Sequence, residues 1–77
     1  MNEIKKVPKF FKVFSQIPVG ESFDMNKGNA LNANTLCVNC LNYIARYQKE
    51  YPNTLYKCQL ARKESHGFEG IRIFRLK

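Results

Sequence analysis

The sequence has no tryptophan, only one histidine, and no apolar run of the roughly 18 residues that a helix needs to cross a bilayer. Its first residues also lack the charged start and apolar stretch of a secretory signal. We therefore expect a cytoplasmic protein without membrane contact. No serine or cysteine stands in a recognised nucleophile context, and the single histidine, His66, lies in a Gly-flanked loop, so we expect no enzyme and no catalytic residue.

Acidic residues are also scarce, because six Asp and Glu stand against 13 Lys and Arg, which gives a net charge of +7. The excess falls at the two ends, residues 1–12 and 57–77, whereas residues 13–56 carry three bases and three acids. A positive field of this kind favours a polyanion, either nucleic acid or an acidic host protein. The alternative is that Lys and Arg only keep a small protein soluble.

The length limits the chain to one core, since a protein of this size buries only about 60 % of the surface that its unfolded form exposes. A hydrophobic fraction of 44 %, with six Phe and four Tyr, is sufficient for such a core. We predict a single domain over residues 1–77. Within it, residues 1–7 form a flexible, Lys-bearing arm and residues 8–77 are folded.

Three segments in the first two thirds of the chain have the spacing of regular structure. Residues 8–17 predict a short helix or a turn, and residues 21–25 predict a short strand after a turn at Pro18 and Gly20. The clearest element is a helix that Asn32 or Asn34 caps and that Pro52 ends. The residues of its buried face recur at intervals of three and four: Leu36, Cys37, Cys40, Leu41, Ile44, Tyr47 or Gln48, and Tyr51.

The last third predicts a loose hairpin. Residues 55–63 alternate as a half-buried strand does, with Tyr56, Cys58 and Leu60 on one face. Residues 64–70 form the connection, and residues 71–76 form a second strand that is apolar on both faces and therefore central. The predicted fold class is α+β, a three-stranded antiparallel sheet with one main helix packed across it and a possible short N-terminal helix.

The three cysteines and the histidine are the one set with metal-ligand chemistry. Cys37 and Cys40 have the C-x-x-C spacing, and Cys58 and His66 follow. However, a zinc C-x-x-C normally lies on a turn, whereas this one lies within a helix on its apolar face. We expect reduced thiols packed in the core and no cofactor or metal, with a zinc site and a redox role as the less favoured alternatives.

The basic and aromatic residues of the hairpin are the candidate binding site. Guanidinium and ammonium groups can contact phosphates, and aromatic rings can stack on bases. Arg72 and Arg75 fall on opposite faces of a regular strand, so one face holds only one of them. The alternative is that these side chains cover core edges and protect the sheet edge. The candidate binding residues are Tyr56, Lys57, Arg62, Lys63, Arg72, Phe74 and Arg75.

Several short motifs resemble those of small bacteriophage and prophage accessory proteins. They are Ile17-Pro-Val-Gly-Glu-Ser-Phe23, Tyr56-Lys-Cys-Gln-Leu-Ala-Arg62 and Ile71-Arg-Ile-Phe-Arg75, and the resemblance spans about residues 14–76. Phe74 stands where these proteins often have Trp. The resemblance implies an accessory role in a host cell, with nucleic-acid binding or inhibition of a host defence such as a CRISPR effector as its function. It implies no catalytic residue.

The sequence therefore predicts a small, basic, phage-type binding protein that engages nucleic acid or the nucleic-acid-binding face of a host complex. The alternative is a protein-directed, anti-CRISPR-like inhibitor that docks on a host defence enzyme and blocks it. A zinc-stabilised module is a third, less favoured hypothesis. The protein is expected to be a monomer, or a homodimer formed through an exposed sheet edge.

Overall fold

The computed structural model describes residues 9–28 and 30–77, and the predicted arm over residues 1–7 lies outside these ranges. The fold is α+β, as predicted: three antiparallel strands form one open sheet with a main helix packed on it. None of the described helices is long and apolar enough to cross a membrane. The elements in chain order are α1 (Lys9–Gln16), β1 (Ser22–Asn26), α2 (Ala33–Glu50), β2 (Tyr56–Ala61), α3 (Lys63–His66) and β3 (Gly70–Arg75).

The last strand lies in the middle of the sheet, because the strand order is β1-β3-β2. Ile73 of β3 lies opposite Phe23 of β1 and Cys58 of β2, and both pairings are antiparallel. The position agrees with the sequence of β3, since apolar residues lie on both faces of this strand, Ile71 and Ile73 on one and Phe74 on the other. The prediction that this strand is central is confirmed.

Helix α2 begins where its sequence predicts. The Asn32 side-chain oxygen accepts a hydrogen bond from the Thr35 N–H at 2.9 Å, which satisfies one of the free donors of the first turn. The helix ends at Glu50, two residues before Pro52, because a residue that precedes proline is disfavoured in helical geometry. Asn32 is thus the cap, and Asn34 lies inside the helix.

The core lies between α2, α1 and one face of the sheet. Tyr47 of α2 packs edge to face against both Phe14 of α1 and Tyr56 of β2, with ring centroids 5.3 and 5.5 Å apart. The Tyr56 hydroxyl donates a hydrogen bond of 2.8 Å to the Phe14 carbonyl, which fastens α1 to the sheet. Burial of each large apolar side chain stabilises the fold by about 1.5–3 kcal/mol. The buried cluster is Phe14, Ile17, Cys40, Ile44, Tyr47, Tyr56, Ile71 and Ile73.

The connection between β2 and β3 differs from the loose loop that we predicted. A helical turn, α3, occupies its first half, so β2 ends at Ala61 and does not continue to residue 63. The Arg62 N–H donates a hydrogen bond to His66 Nδ1, and Gly67 ends the turn with a φ of 81°, a left-handed conformation that glycine adopts without strain. Because polar residues make these local bonds, α3 lacks the helical spacing of apolar residues from which a helix is predicted.

Candidate functional site

The two faces of the sheet differ in what covers them. Ile71 and Ile73 of β3 are fully buried under α2, whereas the residues that alternate with them, Arg72 and Phe74, are half-buried. The strand register places three rows of three residues on this second face. The row of Asn26, Gly70 and Ala61 is buried at Gly70 and Ala61, whereas the other two rows hold six side chains that are exposed or half-buried. They are Ser22, Phe74 and Lys57 in one row and Asp24, Arg72 and Gln59 in the next, and we call these six residues the open face.

An ion pair crosses the open face between β1 and β3. Arg72 Nε lies 2.6 Å from Asp24 Oδ1 and Arg72 Nη2 lies 3.1 Å from Asp24 Oδ2, a two-point contact. The hydrogen bond from Arg72 lowers the pKa of the Asp24 carboxyl, and the nearby His66 adds a smaller effect in the same direction. Asp24 therefore fixes the plane of the guanidinium and offsets its charge, while the remaining N–H groups of Arg72 are left for other acceptors.

Phe74 lies at the centre of its row, between Ser22 and Lys57. Beyond this row, the Leu76 N–H donates to the Leu55 carbonyl at 2.7 Å, which continues the pairing of the two strands past Arg75. Leu55 is 41 % exposed and Leu76 is 52 % exposed. The open face is therefore polar, with two cations and one acid, and the surface next to its Phe74 row, at Leu55 and Leu76, is apolar.

Arg62 and Lys63 lie at the opposite end, where β2 meets α3, and both are exposed. They line a cleft of about 280 Å³ together with two acids, Glu64 and Glu69. The acids reduce the positive potential around these two bases. The remaining residues that line the cleft are Asn32, Ala33, Asn34, Leu60 and Ala61.

The other two candidate binding residues, Tyr56 and Arg75, lie on the helix-covered side. Arg75 Nη1 donates to the Ile17 carbonyl at 2.9 Å and Nε donates to the Lys77 carbonyl at 3.0 Å, while its guanidinium carbon lies 5.7 Å from the Tyr56 ring centre. Burial raises the pKa of the Tyr56 phenol. These contacts hold the fold together. Arg72 and Arg75 are on opposite faces, as expected from the alternation.

The cysteines converge between α2 and β2. Cys40 is fully buried, and the sulfur atoms of Cys37 and Cys58 are 3.5 Å apart as free thiols. Burial, with the hydrogen bond to Cys58, raises the pKa of the Cys37 thiol to about 11. The contact with Cys40, followed by burial, raises the pKa of the Cys58 thiol. Over residues 9–28 and 30–77, no group of three or more His, Cys, Asp or Glu side chains is arranged to hold a metal ion.

No protein family model matches the sequence, and no curated protein or solved structure is detectably similar to it. The phage resemblance therefore stays a prediction.

Sequence reasoning grouped the candidate residues along the hairpin, and the structure brings only Lys57, Arg72 and Phe74 together on one face. Sequence reasoning missed the other three residues of the open face, Ser22, Asp24 and Gln59. The alternation of residues in β1 could have placed Asp24 on one side of that strand, but its pairing with Arg72 depends on the strand order, which local patterns do not reveal.

Proposed function

We propose that the protein binds single-stranded nucleic acid on the open face. The observation that supports this most is the position of Phe74, an aromatic residue on the central strand with Lys57 beside it and Arg72 in the next row. A ring on an uncovered sheet can stack on an unpaired base, and the adjacent cations can contact the phosphates.

The roles follow from the chemistry of each side chain. The Lys57 ammonium is exposed and contacts a phosphate as a point charge, whereas Arg72 presents the N–H groups that Asp24 does not use. The Gln59 amide, which lies opposite Arg72, can donate to or accept from a base edge. A duplex hides its base faces in the stack, so a surface that works through Phe74 favours single strands.

A second candidate function, docking on a protein, is favoured by the apolar end of the same surface. Val19 is exposed near the start of β1, and Leu55 and Leu76 are exposed beside the open face. An apolar area next to cations suits a partner with an acidic, partly apolar surface. In the setting that the phage resemblance implies, this partner is a host defence enzyme, and the protein inhibits it by blocking its nucleic-acid-binding face.

The proposal is tested by fluorescence anisotropy with labelled single-stranded DNA, single-stranded RNA and duplex DNA of one length, at several salt concentrations. We expect the wild type to prefer single strands and to lose affinity as salt rises. Lys57→Gln removes a cation from the open face, and Lys49→Gln is its matched control because Lys49 is exposed on α2. Loss of one phosphate contact reduces the slope of log affinity against log salt by about 0.7.

The proposal fails if no nucleic acid binds at low salt, or if Lys57→Gln and Lys49→Gln weaken binding equally. The second result would show that net charge alone governs the interaction. Binding to a host protein that nuclease treatment does not abolish, together with no shift of any oligonucleotide, would favour the docking function.

A further inference from the structure

The outer side of α2 carries an uncharged stripe next to its buried face. Its residues recur at alternating intervals of four and three: Asn34, Val38, Leu41, Ala45 and Gln48. Val38 is 57 % exposed and Leu41 is 48 % exposed, so this apolar surface is not used by the core. A mean spacing of 3.5 residues is typical of a helix that packs side by side with another helix.

The stripe runs along the outer edge of β2. Gln48, its last member, accepts a hydrogen bond from the Tyr56 N–H at 2.8 Å, and this N–H points away from β3. By the alternation of an antiparallel strand, the N–H groups of Cys58 and Leu60 also point outward. The sulfur atom of Cys37 contacts that of Cys58. Val38, the stripe residue that follows Cys37, therefore lies beside Cys58 along the length of β2. Among the described strands, none pairs with this side of β2.

We infer that this edge binds a second copy of the same chain. The β2 strands of the two copies pair antiparallel about a twofold axis at Cys58. Cys58 then faces Cys58 of the second copy, and the outward N–H of Leu60 faces the carbonyl of Tyr56 of the second copy. On pairing, the Gln48 amide turns away from the Tyr56 N–H, which donates instead to the carbonyl of Leu60 of the second copy. The outer stripes of the two α2 helices meet over the paired strands through Val38 and Leu41, and the small side chain of Ala45 lets the helices approach closely.

Charge favours a second copy at this edge in particular. Two chains of +7 repel each other over most of their surfaces, so association is opposed least where the contact carries no charge. The α2 stripe has no ionisable side chain, and the twofold pairing sets Lys57 opposite the neutral Gln59 of the second copy. The β1 edge is different, because Asp24 and Lys27 lie along it.

The dimer has one consequence for the open faces. A twofold axis between antiparallel strands of one sheet is perpendicular to that sheet, so both open faces lie on the same side of a six-stranded sheet. Two Lys57 side chains and two Arg72 side chains then line one continuous surface. The dimer itself does not depend on nucleic-acid binding, since its contacts lie on the edge and on α2.

Sedimentation equilibrium of the pure protein, without nucleic acid, tests the inference over a wide range of concentration. We expect the mass to rise from 9.0 kDa toward twice that value, and the association to strengthen with salt, because salt screens the repulsion between two cationic chains. Leu41→Glu places a charge in the stripe and should weaken association by at least about tenfold, since like charges would then meet at the interface. Val19→Glu is the matched control, because it makes the same charge change at an exposed apolar residue outside the stripe.

Amide hydrogen exchange tests the strand pairing separately. The Cys58 and Leu60 amides should exchange more slowly as the protein concentration rises, and Leu41→Glu should abolish this dependence while the circular dichroism spectrum stays that of a folded protein. A wild type that is monomeric at every concentration overturns the inference. So does a dimer that Leu41→Glu leaves intact, or one in which the Leu60 amide gains no protection. Because salt strengthens this association and weakens binding to nucleic acid, failure of one proposal is distinguishable from failure of the other.

Discussion

Asp24 holds Arg72 through two hydrogen bonds that join β1 to β3 on the open face, although the two residues are 48 positions apart in the chain. The pair sets the position of the guanidinium and also places a negative charge on the surface that we propose for nucleic acid. Affinity and geometry are therefore opposed at this point: the carboxylate orients the arginine but repels phosphates.

Asp24→Asn should tighten the binding of single-stranded nucleic acid by roughly three- to tenfold, because it removes a repulsive charge and frees the Arg72 N–H groups. Glu50→Gln is the control, since Glu50 is exposed at the end of α2 and its loss changes the net charge equally. Anisotropy titrations at one salt concentration measure both variants. Equal gains for the two variants would contradict a site on the open face.

Phe74→Leu should weaken binding of single strands by about 1–3 kcal/mol, because leucine fills much of the same half-buried space but has no aromatic face for a base. Phe23→Leu is the matched control, since Phe23 pairs with Ile73 and alternates onto the other side of the sheet. Thermal unfolding of both variants measures the cost to the fold, so that a loss of affinity can be assigned to stacking. An unchanged affinity for Phe74→Leu would exclude stacking on this ring.

Tyr56→Phe should reduce the free energy of unfolding by about 0.5–1.5 kcal/mol, because it removes the shorter of the two hydrogen bonds to the buried Phe14 carbonyl and leaves only the one from the Ile17 N–H at 3.3 Å. Chemical denaturation measures the change. In Tyr51→Phe, a control at a residue that is 48 % exposed, we expect little effect. Affinity for nucleic acid, measured where both variants are folded, should not change. A loss of affinity in folded Tyr56→Phe would place Tyr56 in the binding site.

The Cys37 thiol should react slowly with iodoacetamide at pH 8, about a hundredfold more slowly than an ordinary cysteine, because burial raises its pKa to about 11 and leaves little thiolate. The rate should rise about tenfold for each pH unit up to pH 10, since the thiolate fraction grows in this proportion below the pKa. Mass spectrometry of peptides follows the reaction. A rate that levels off near pH 8 or 9 would contradict the packing of Cys37 against Cys58.

Local patterns were sufficient to predict most of the architecture. The apolar spacing from Leu36 to Tyr51 predicts α2, and the two-sided hydrophobicity of residues 71–76 predicts a central strand. The bounds differ by one residue at each end of β1 and β3 because hydrogen bonding with neighbours determines where pairing stops, as it does for the Gly20 N–H, which donates to the Arg75 carbonyl.

Which residues belong to the candidate site depends on tertiary contacts, and these cannot be predicted from local sequence patterns. Arg75 resembles Arg72 in sequence, yet its partner is the Ile17 carbonyl, 58 residues away. Tyr56 has the composition of a stacking residue, and it is buried because Phe14 and Tyr47 surround it. Each assignment required the strand register and the position of α1, which only the assembled fold provides.

The central position of β3 also affects how the chain folds as it is made. A ribosome releases β1, α2 and β2 before β3, so neither outer strand has its partner at that stage, and the pairing of Asp24 with Arg72 spans most of the chain. The apolar sides of α2 and β2 then remain accessible to chaperones and proteases until β3 emerges. Because one late strand completes both halves of the sheet, we expect the domain to gain its protease resistance in a single step, when β3 has left the ribosome.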